Sequence, residues 1–212
     1  MKYFFLKRVI DLIGAIVGIV LFSPIYLLEA MAIKLDTPGP VLVEVSNRIG
    51  KDGKKFRMYK FRSMIADAHV KIKKDPKFKK LYKEFEKNDF KLENDPRITK
   101  VGRFIRRTSI DETPQFINVL VGNMSLVGPR AFYPEELNAR KKEHPKLIKK
   151  INDSLKVKPG ITGPWQISGR SEIEFSERIN LDSIYANKKS ISYDLAILVK
   201  TIPAVIGGKG AE

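Results

Sequence analysis

Two adjacent carboxylates, Asp111 and Glu112, stand in the part of the sequence best supplied with groups for phosphate chemistry. Arginines precede them at 103, 106 and 107, and Arg130 follows in a Gly-Pro-Arg turn. Guanidinium groups bind phosphate oxygens in a planar, bidentate manner, while a carboxylate can hold Mg²⁺ or act as a nucleophile. Residues 103–130 are therefore a candidate active site. The alternative is that Asp111 only caps a helix and the arginines coat a surface, because aspartate is a common N-cap.

Pro114 indicates where the helix that carries these acids begins. A proline has no backbone N–H and fits only the first helical turn, so Asp111 is predicted to be the N-cap and Glu112 the first helical residue. A capping box from Ser109 to Glu112 would shift this start by two residues. In both cases the positive end of the helix dipole favours an ionised carboxylate and attracts phosphate.

The overall charge points to an anionic partner. The chain has 212 residues, with 40 Lys and Arg against 24 Asp and Glu, for a net charge of +16. Such an excess suits nucleic acid, an anionic membrane surface or a phosphorylated substrate. The absence of cysteine excludes a disulfide framework and a thiolate metal site. The two histidines do not stand at ligand spacing, which argues against zinc.

The N-terminal segment is predicted to enter the membrane. An apolar run over residues 12–28 approaches the roughly 20 residues that span a bilayer, and Ser23 and Pro24 interrupt it. It can be interpreted as a signal peptide cleaved after Ala-Met-Ala at 30–32, as a through-span, or as a helix that enters and leaves the same leaflet. Basic residues near both ends favour the cytoplasmic side for both, so the segment must turn back. Pro24 breaks helical hydrogen bonding, and Ser23 can satisfy a freed carbonyl there.

These patterns predict an α+β, mostly helical protein. We expect a re-entrant membrane helix over 1–35, broken at Ser23-Pro24, and a cytoplasmic catalytic domain over 36–212. The domain would contain a small β-hairpin over 41–48 and 55–61, followed by amphipathic helices that lie at the membrane interface around one catalytic core. The helical segments are 65–91, which is strongly basic, 134–151, interrupted at Pro145, 171–187, and the apolar 192–206.

A loop over residues 158–170 concentrates glycine and proline around Trp165, the only tryptophan. Glycine lets the backbone approach a ligand closely, and Arg170 can add a phosphate contact. The alternative is a tight connection between helices in which Trp165 anchors the core.

Four segments together resemble the bacterial sugar transferases, the monotopic phosphoglycosyl transferases that act on polyprenyl phosphate. In order, they are YKFRSM at 59–64, RRTSIDETPQ at 106–115, MSLVGPR at 124–130 and KPGITGPWQISGR at 158–170. The segments NDPRIT at 94–99 and KTIP at 200–203 look most like the undecaprenyl-phosphate galactose phosphotransferase branch. The chain departs from the family pattern at Thr113, Ala131 and Pro164, where the family usually has Leu, Pro and Leu. These departures leave every charged residue of the motifs in place.

The resemblance implies a mechanism. Asp111 would attack the β-phosphorus of a UDP-sugar, release UMP and carry a sugar phosphate that polyprenyl phosphate then takes. Asp111 and Glu112 would hold Mg²⁺, and Glu112 would hold the metal or help to deprotonate the lipid phosphate. The phosphate clamp would consist of Arg106, Arg130 and Arg170, with Lys60 as a weaker candidate.

The implied partners are a UDP-sugar, polyprenyl phosphate and the membrane, with a homodimer left open, and the implied location is the cytoplasmic face of a bacterial inner membrane. Two other functions would explain part of the sequence. A nucleic-acid-binding protein would explain the charge but not the apolar N-terminus or the paired acids, and no nucleic-acid-binding motif occurs. A secreted basic binding protein would follow if residues 30–32 were cleaved.

Overall fold

The computed structural model describes residues 2–87, 92, 95–169 and 173–207, with side chains except at 45–47, 69, 73, 85–87, 205 and 206. Helices dominate the described chain, which confirms the predicted class. The helices are α1 (Lys2–Asp36), α2 (Ala68–Lys74), α3 (Lys79–Lys87), α4 (Lys100–Arg107), α5 (Gln115–Val121), α6 (Pro134–Glu143), α7 (Ile148–Ser154), α8 (Pro164–Ile167), α9 (Phe175–Lys188) and α10 (Ile191–Ile206). Four 3₁₀ turns lie at Lys51–Gly53, Pro76–Phe78, Ile110–Glu112 and Pro145–Leu147.

Two small sheets accompany the helices. The predicted hairpin is confirmed: β1 (Leu42–Ile49) pairs antiparallel with β2 (Lys55–Phe61), with a register shift between Val45 and Arg48. A second, parallel pair of β3 (Ser125–Val127) and β4 (Gly160–Thr162) was not predicted. Each of these strands has only three residues, too few for a readable alternation of apolar and polar positions.

Prolines divide two of the predicted helices, because a proline inside a helix removes a backbone hydrogen bond and clashes with the preceding turn. The segment predicted over 65–91 consists of α2 and α3, separated at Pro76, and its end at 88–91 lies outside the described residues. The segment over 134–151 is divided at Pro145, as predicted.

Helix α1 is the longest element and has two different faces. Its inner face packs Ala15 into the main core and buries Asp11, which accepts hydrogen bonds from Ser125 Oγ and Leu126 N, both at 2.9 Å. Its outer face exposes large apolar side chains along its whole length: Phe4, Phe5, Leu6, Ile13, Ile16, Val17, Val20, Leu21, Leu27, Leu28, Met31 and Leu35. By length and composition this helix could cross a membrane. The exposed apolar face suggests membrane association.

We expected helix α1 to break at Ser23-Pro24, but it continues through Pro24 without a break. The proline removes the N–H that would bond the carbonyl of Val20, and Ser23 Oγ donates to that carbonyl at 2.8 Å. The predicted role of Ser23 is therefore confirmed. This side-chain bond satisfies the freed carbonyl without ending the helix.

The Gly-Pro segments pack against each other, backbone to backbone. Gly128 N donates to Thr162 O at 2.9 Å, and Gly160 N donates to Pro129 O at 2.9 Å. A Cβ on Gly160 would lie 2.0 Å from Gly128 N, and a Cβ on Gly163 would lie 2.0 Å from Gly128 O. These glycines are therefore explained by mutual packing.

We predict that Gly160→Ala lowers the free energy of unfolding by about 3 kcal/mol or more, because backbone atoms cannot yield to the added methyl group. Gly53→Ala is the matched control: nothing lies within 4 Å of its added Cβ, and its φ of 75° should cost only about 1 kcal/mol. Denaturant unfolding in detergent measures both. Equal losses would show that the close approach at Gly160 is unimportant.

Candidate active site

The strand β2 is fixed to α5 by one buried amide. Asn118 on α5 is fully buried. Its Oδ1 accepts from Tyr59 N at 2.9 Å, and its Nδ2 donates to Arg57 O at 2.7 Å. Both backbone groups of the strand edge are thereby satisfied. This contact places Lys60, the next residue on β2, against the turn that precedes α5.

That turn carries the paired acids. Helix α4 ends at Arg107, and Ser109 adopts a left-handed conformation with φ 57°, which redirects the chain into the 3₁₀ turn Ile110–Glu112. Helix α5 begins only at Gln115, with Pro114 immediately before it. The prediction of Asp111 as an N-cap was therefore wrong, as was the capping-box alternative, since Ser109 makes no side-chain cap bond. The 3₁₀ turn directs the carboxylate of Asp111 toward Lys60.

One ammonium group bridges the two carboxylates. Lys60 Nζ lies 2.5 Å from Glu112 Oε1 and 3.6 Å from Asp111 Oδ2. The Asp111 side chain is only 8% exposed, whereas that of Glu112 is 42% exposed. The pair therefore consists of one buried acid and one acid open to solvent, held together by a lysine that the sequence marked only as a weaker candidate.

The different surroundings move the two pKa values apart. Burial raises the pKa of Asp111 and the charge of Glu112 adds to this, although Lys60 and Arg106 oppose it. At Glu112 burial also disfavours ionisation, but Lys60, Arg130 and Arg48 outweigh it and lower the pKa. Glu112 is thus the stable anion and Asp111 the more basic carboxylate, an arrangement typical of catalytic carboxyl pairs.

The structure places two of the three clamp arginines near this pair. Arg106 lies in the last turn of α4, and its positive charge lowers the pKa of Asp111. The positive charge of Arg130 lowers the pKa of Glu112. The guanidinium group of Arg130 also lies 5.4 Å from the ring centroid of Trp165. Trp165 itself is half-buried, and it lies beside these charged groups. Arg170, the third arginine, lies outside the described residues.

Sequence reasoning missed a buried ionic cluster on the far side of Glu112. Arg48, at the end of β1, and Arg178, on α9, are both buried, as is Glu136 in the first turn of α6. Arg178 Nη1 lies 3.2 Å from Glu136 Oε1, and Arg130 Nη1 lies 3.7 Å from the same oxygen. The only sequence signal was the spacing of a capping box, in which Glu136 Oε2 accepts from Tyr133 N at 3.2 Å.

The apolar helix α1 borders the paired acids. Tyr26 Oη donates to Thr113 O at 3.2 Å, two residues beyond Asp111. Glu29, one turn further along α1, is 6% exposed, and its carboxylate oxygens have no hydrogen-bond partner in the part of the chain that the structure describes. An ionisable residue is costly where it faces lipid in an apolar membrane segment. The structure explains the position of Glu29, because it faces the protein interior and not the apolar outer face.

The donor set limits what metal the site could hold. Among the described residues no cluster of three or more His, Asp or Glu side chains is found. A complete protein cage for zinc or calcium is therefore missing from this part of the chain. Asp111 and Glu112 nevertheless fit Mg²⁺, which binds one or two carboxylates and completes its shell with water and substrate phosphates.

Comparison with known proteins bears on this arrangement. The model of the family described as bacterial sugar transferase matches residues 2–208. The chain is 45% identical over 207 residues to the galactosyl transferase CpsE of Streptococcus agalactiae, covering 97% of this chain and 43% of that protein. It is 41% identical over 211 residues to the undecaprenyl-phosphate galactose phosphotransferase of Salmonella typhimurium, covering 98% and 42%.

The exopolysaccharide production protein ExoY of Rhizobium meliloti is 37% identical over 216 residues, covering 97% of this chain and 87% of that protein. The chain thus spans less than half of the first two relatives and most of the third. The matches to CpsE and the galactose phosphotransferase cover 97% and 98% of this chain, so they extend across all four motif segments. The chain belongs to the bacterial sugar transferase family.

Proposed function

We propose that the protein transfers a hexose 1-phosphate from a UDP-sugar to polyprenyl phosphate, here undecaprenyl phosphate, and releases UMP. The observation that carries the proposal is the buried carboxylate of Asp111, held by Lys60 beside Glu112 at the border of the apolar helix. Similarity to the undecaprenyl-phosphate galactose phosphotransferase of Salmonella typhimurium supports the same reaction class.

In the first half-reaction an Asp111 oxygen attacks the β-phosphorus of the UDP-sugar. A carboxylate O–P bond forms, the bridging bond to the α-phosphate breaks, and UMP leaves with the electron pair. Burial makes Asp111 the more basic acid of the pair, and the Lys60 ammonium lowers the repulsion between this carboxylate and the diphosphate. Arg106 and Arg130, with Arg170, bind the equatorial phosphate oxygens.

In the second half-reaction a phosphate oxygen of the polyprenyl phosphate attacks the same phosphorus. The bond to Asp111 breaks, the carboxylate is restored, and a diphosphate joins lipid and sugar. Glu112, ionised and open to solvent, accepts the proton of the incoming phosphate. Asp111 and Glu112 would also hold Mg²⁺, which supplies neutralisation of phosphate charge when bound.

The apolar helix serves to bring this site to the lipid substrate. We propose that residues 1–35 form a re-entrant anchor, that 36–212 form the catalytic domain, and that the protein lies at the cytoplasmic face of the bacterial inner membrane. A straight helix of 35 residues would be about 52 Å long, more than a hydrocarbon core of about 30 Å requires. Pro24 and the Ser23 bond to Val20 support a bend near the middle.

The absence of cysteine makes this topology directly testable. We predict that single cysteines at Lys2 and Lys34 are both protected from an impermeant maleimide in intact spheroplasts and both labelled in inside-out vesicles. The cysteine-free chain is the background control. Labelling of either end from outside the spheroplasts would mean that the helix crosses the membrane.

The reaction itself is tested by incubating the purified protein with undecaprenyl phosphate, Mg²⁺ and a panel of UDP-sugars, including UDP-galactose and UDP-glucose. We expect UMP release with at least one donor: a single stoichiometric release without the lipid phosphate, and continued release only when it is present. Release of UDP in place of UMP would indicate transfer of a sugar without its phosphate and would reject the proposal.

A further inference from the structure

Glu136 connects three arginines that approach from different parts of the chain. Arg178 donates to Glu136 Oε1, and Arg130 lies 3.7 Å from the same oxygen. The positive charge of Arg48 also favours the ionised form of Glu136. Burial opposes ionisation of Glu136, but Arg178, Arg130 and Arg48 together lower its pKa to about 2. Glu136 therefore carries a negative charge throughout the working pH range.

The two buried arginines of this group have unused hydrogen-bond donors. Arg48 is 4% exposed and Arg178 is 6% exposed. Arg48 Nε and Nη1, and Arg178 Nε and Nη2, have no hydrogen-bond partner among the described residues. Buried donors left without acceptors are costly, above all on charged groups. The cluster therefore has more donors than the described part of the chain satisfies.

The other nearby carboxylate does not supply the missing acceptors. Asp182 is completely buried, and its Oδ2 lies 3.8 Å from Arg178 Nε, beyond hydrogen-bond distance. Burial raises the pKa of Asp182 to about 7, although Arg178 and Arg130 oppose this. Two firmly ionised carboxylates, Glu136 and Glu112, thus face three guanidinium groups, and the unused donors of Arg48 and Arg178 favour a further anion.

Aromatic rings pack against all three guanidinium groups. The Cζ of Arg48 lies 3.7 Å from the ring centroid of Tyr133, and that of Arg178 lies 4.7 Å from that of Phe132. Arg130 and Arg178 each lie 5.4 Å from the ring centroid of Trp165. Stacked guanidinium groups keep their N–H groups at set angles.

The cluster also borders the catalytic pair. The positive charges of Arg130 and Arg48 both lower the pKa of Glu112. A diphosphate bound to these arginines would therefore lie next to the paired acids.

We infer that Glu136 is a positioning residue that holds Arg48, Arg130 and Arg178 as one anion-binding surface for a nucleoside diphosphate. The inference deepens the proposed function and rests on it for the identity of the ligand. Without Glu136 the three cations repel one another and lose their shared orientation. The loss of one negative charge by itself would have the opposite effect, because it makes the cluster more attractive to anions. The sign of the change in affinity therefore separates positioning from simple charge balance.

The test is equilibrium binding of UDP to the full chain in nanodiscs, without lipid substrate or turnover. We expect Glu136→Gln to weaken UDP binding by about tenfold or more. The KM for the UDP-sugar should rise by a similar factor while kcat changes much less. Glu136→Asp, which keeps the charge, should recover part of the affinity. Unchanged or tighter UDP binding by Glu136→Gln would overturn the inference.

Asp194→Asn is the matched control. Asp194 is a buried carboxylate that accepts from Tyr185 Oη at 2.7 Å and pairs with Lys7 at 3.0 Å, away from the arginine cluster. It should lose stability without loss of UDP affinity. A similar loss of affinity in this control would show that the effect of Glu136→Gln is general loosening, and would overturn the inference.

Two further variants keep the test decisive if Glu136→Gln does not fold. Arg48→Lys and Arg178→Lys retain the charge but remove the fork of N–H donors, and each should weaken UDP binding by about tenfold. Wild-type affinity in both would overturn the inference, as would absence of UDP binding by the wild type. A wild type that binds UDP but transfers no sugar phosphate would contradict the proposed function alone.

Discussion

Asp111→Asn is expected to abolish UMP release, with a loss of at least about 10³-fold, while the protein remains folded and membrane-bound. Asparagine has nearly the same shape but cannot form the phosphoryl ester, and neutralising a buried acid removes no packing. Turnover with the UDP-sugar, undecaprenyl phosphate and Mg²⁺ is the measurement. Circular dichroism and detergent extraction report on the fold and the membrane association.

Asp153→Asn is the matched control for this change. Asp153 is a largely buried aspartate on α7 that pairs with Lys156, outside the candidate site. Its conversion to asparagine should leave turnover within about twofold of the wild type, as for substitutions away from functional groups. If Asp111→Asn kept comparable turnover, Asp111 could not be the nucleophile.

Lys60→Met should have the second largest effect, a loss of turnover of about 10²-fold or more. The substitution leaves two neighbouring carboxylates without the ammonium group that bridges them at 2.5 and 3.6 Å. Because the charge of Lys60 lowers the pKa of Asp111, its removal raises that pKa. The acidic limb of the pH–rate profile should therefore move to higher pH.

Lys55→Met provides the comparison on the same strand. Lys55 is exposed at the start of β2 and takes part in no contact with the paired acids. Lys60→Arg should retain more activity than Lys60→Met, since it keeps the charge. A pH–rate profile of Lys60→Met that coincides with the wild-type profile would show that Lys60 does not control the ionisation of Asp111.

The sequence indicated the paired acids and the hairpin because both depend on local patterns. Adjacent acids among arginines, and a turn with two glycines between runs rich in β-branched or aromatic residues, are visible within a few residues. The start of α5 was misplaced because Pro114 fits before the first helical residue as well as inside the first turn. The left-handed Ser109, which directs Asp111 inward, has no sequence signal of its own.

The arginine cluster could not be predicted because its members are distant in the chain. Arg48 and Arg178 are separated by 130 positions, and the folded chain brings both close enough to lower the pKa of Glu136. Arg62 shows the same difficulty. It directly follows β2, and it is buried and donates to Thr37 O at 2.6 Å and Pro38 O at 2.5 Å, which lie beyond the end of α1 and distant in the chain.

The covalent intermediate is tested most directly by trapping it. Wild-type protein would be mixed with the preferred UDP-sugar and Mg²⁺ without polyprenyl phosphate, quenched in acid, digested and mapped by mass spectrometry. We predict that the peptide containing Asp111 gains the mass of one hexose phosphate, that the adduct disappears on addition of undecaprenyl phosphate, and that Asp111→Asn never forms it. An adduct on another residue, or full turnover in which no adduct forms at any time, would contradict a covalent role for Asp111.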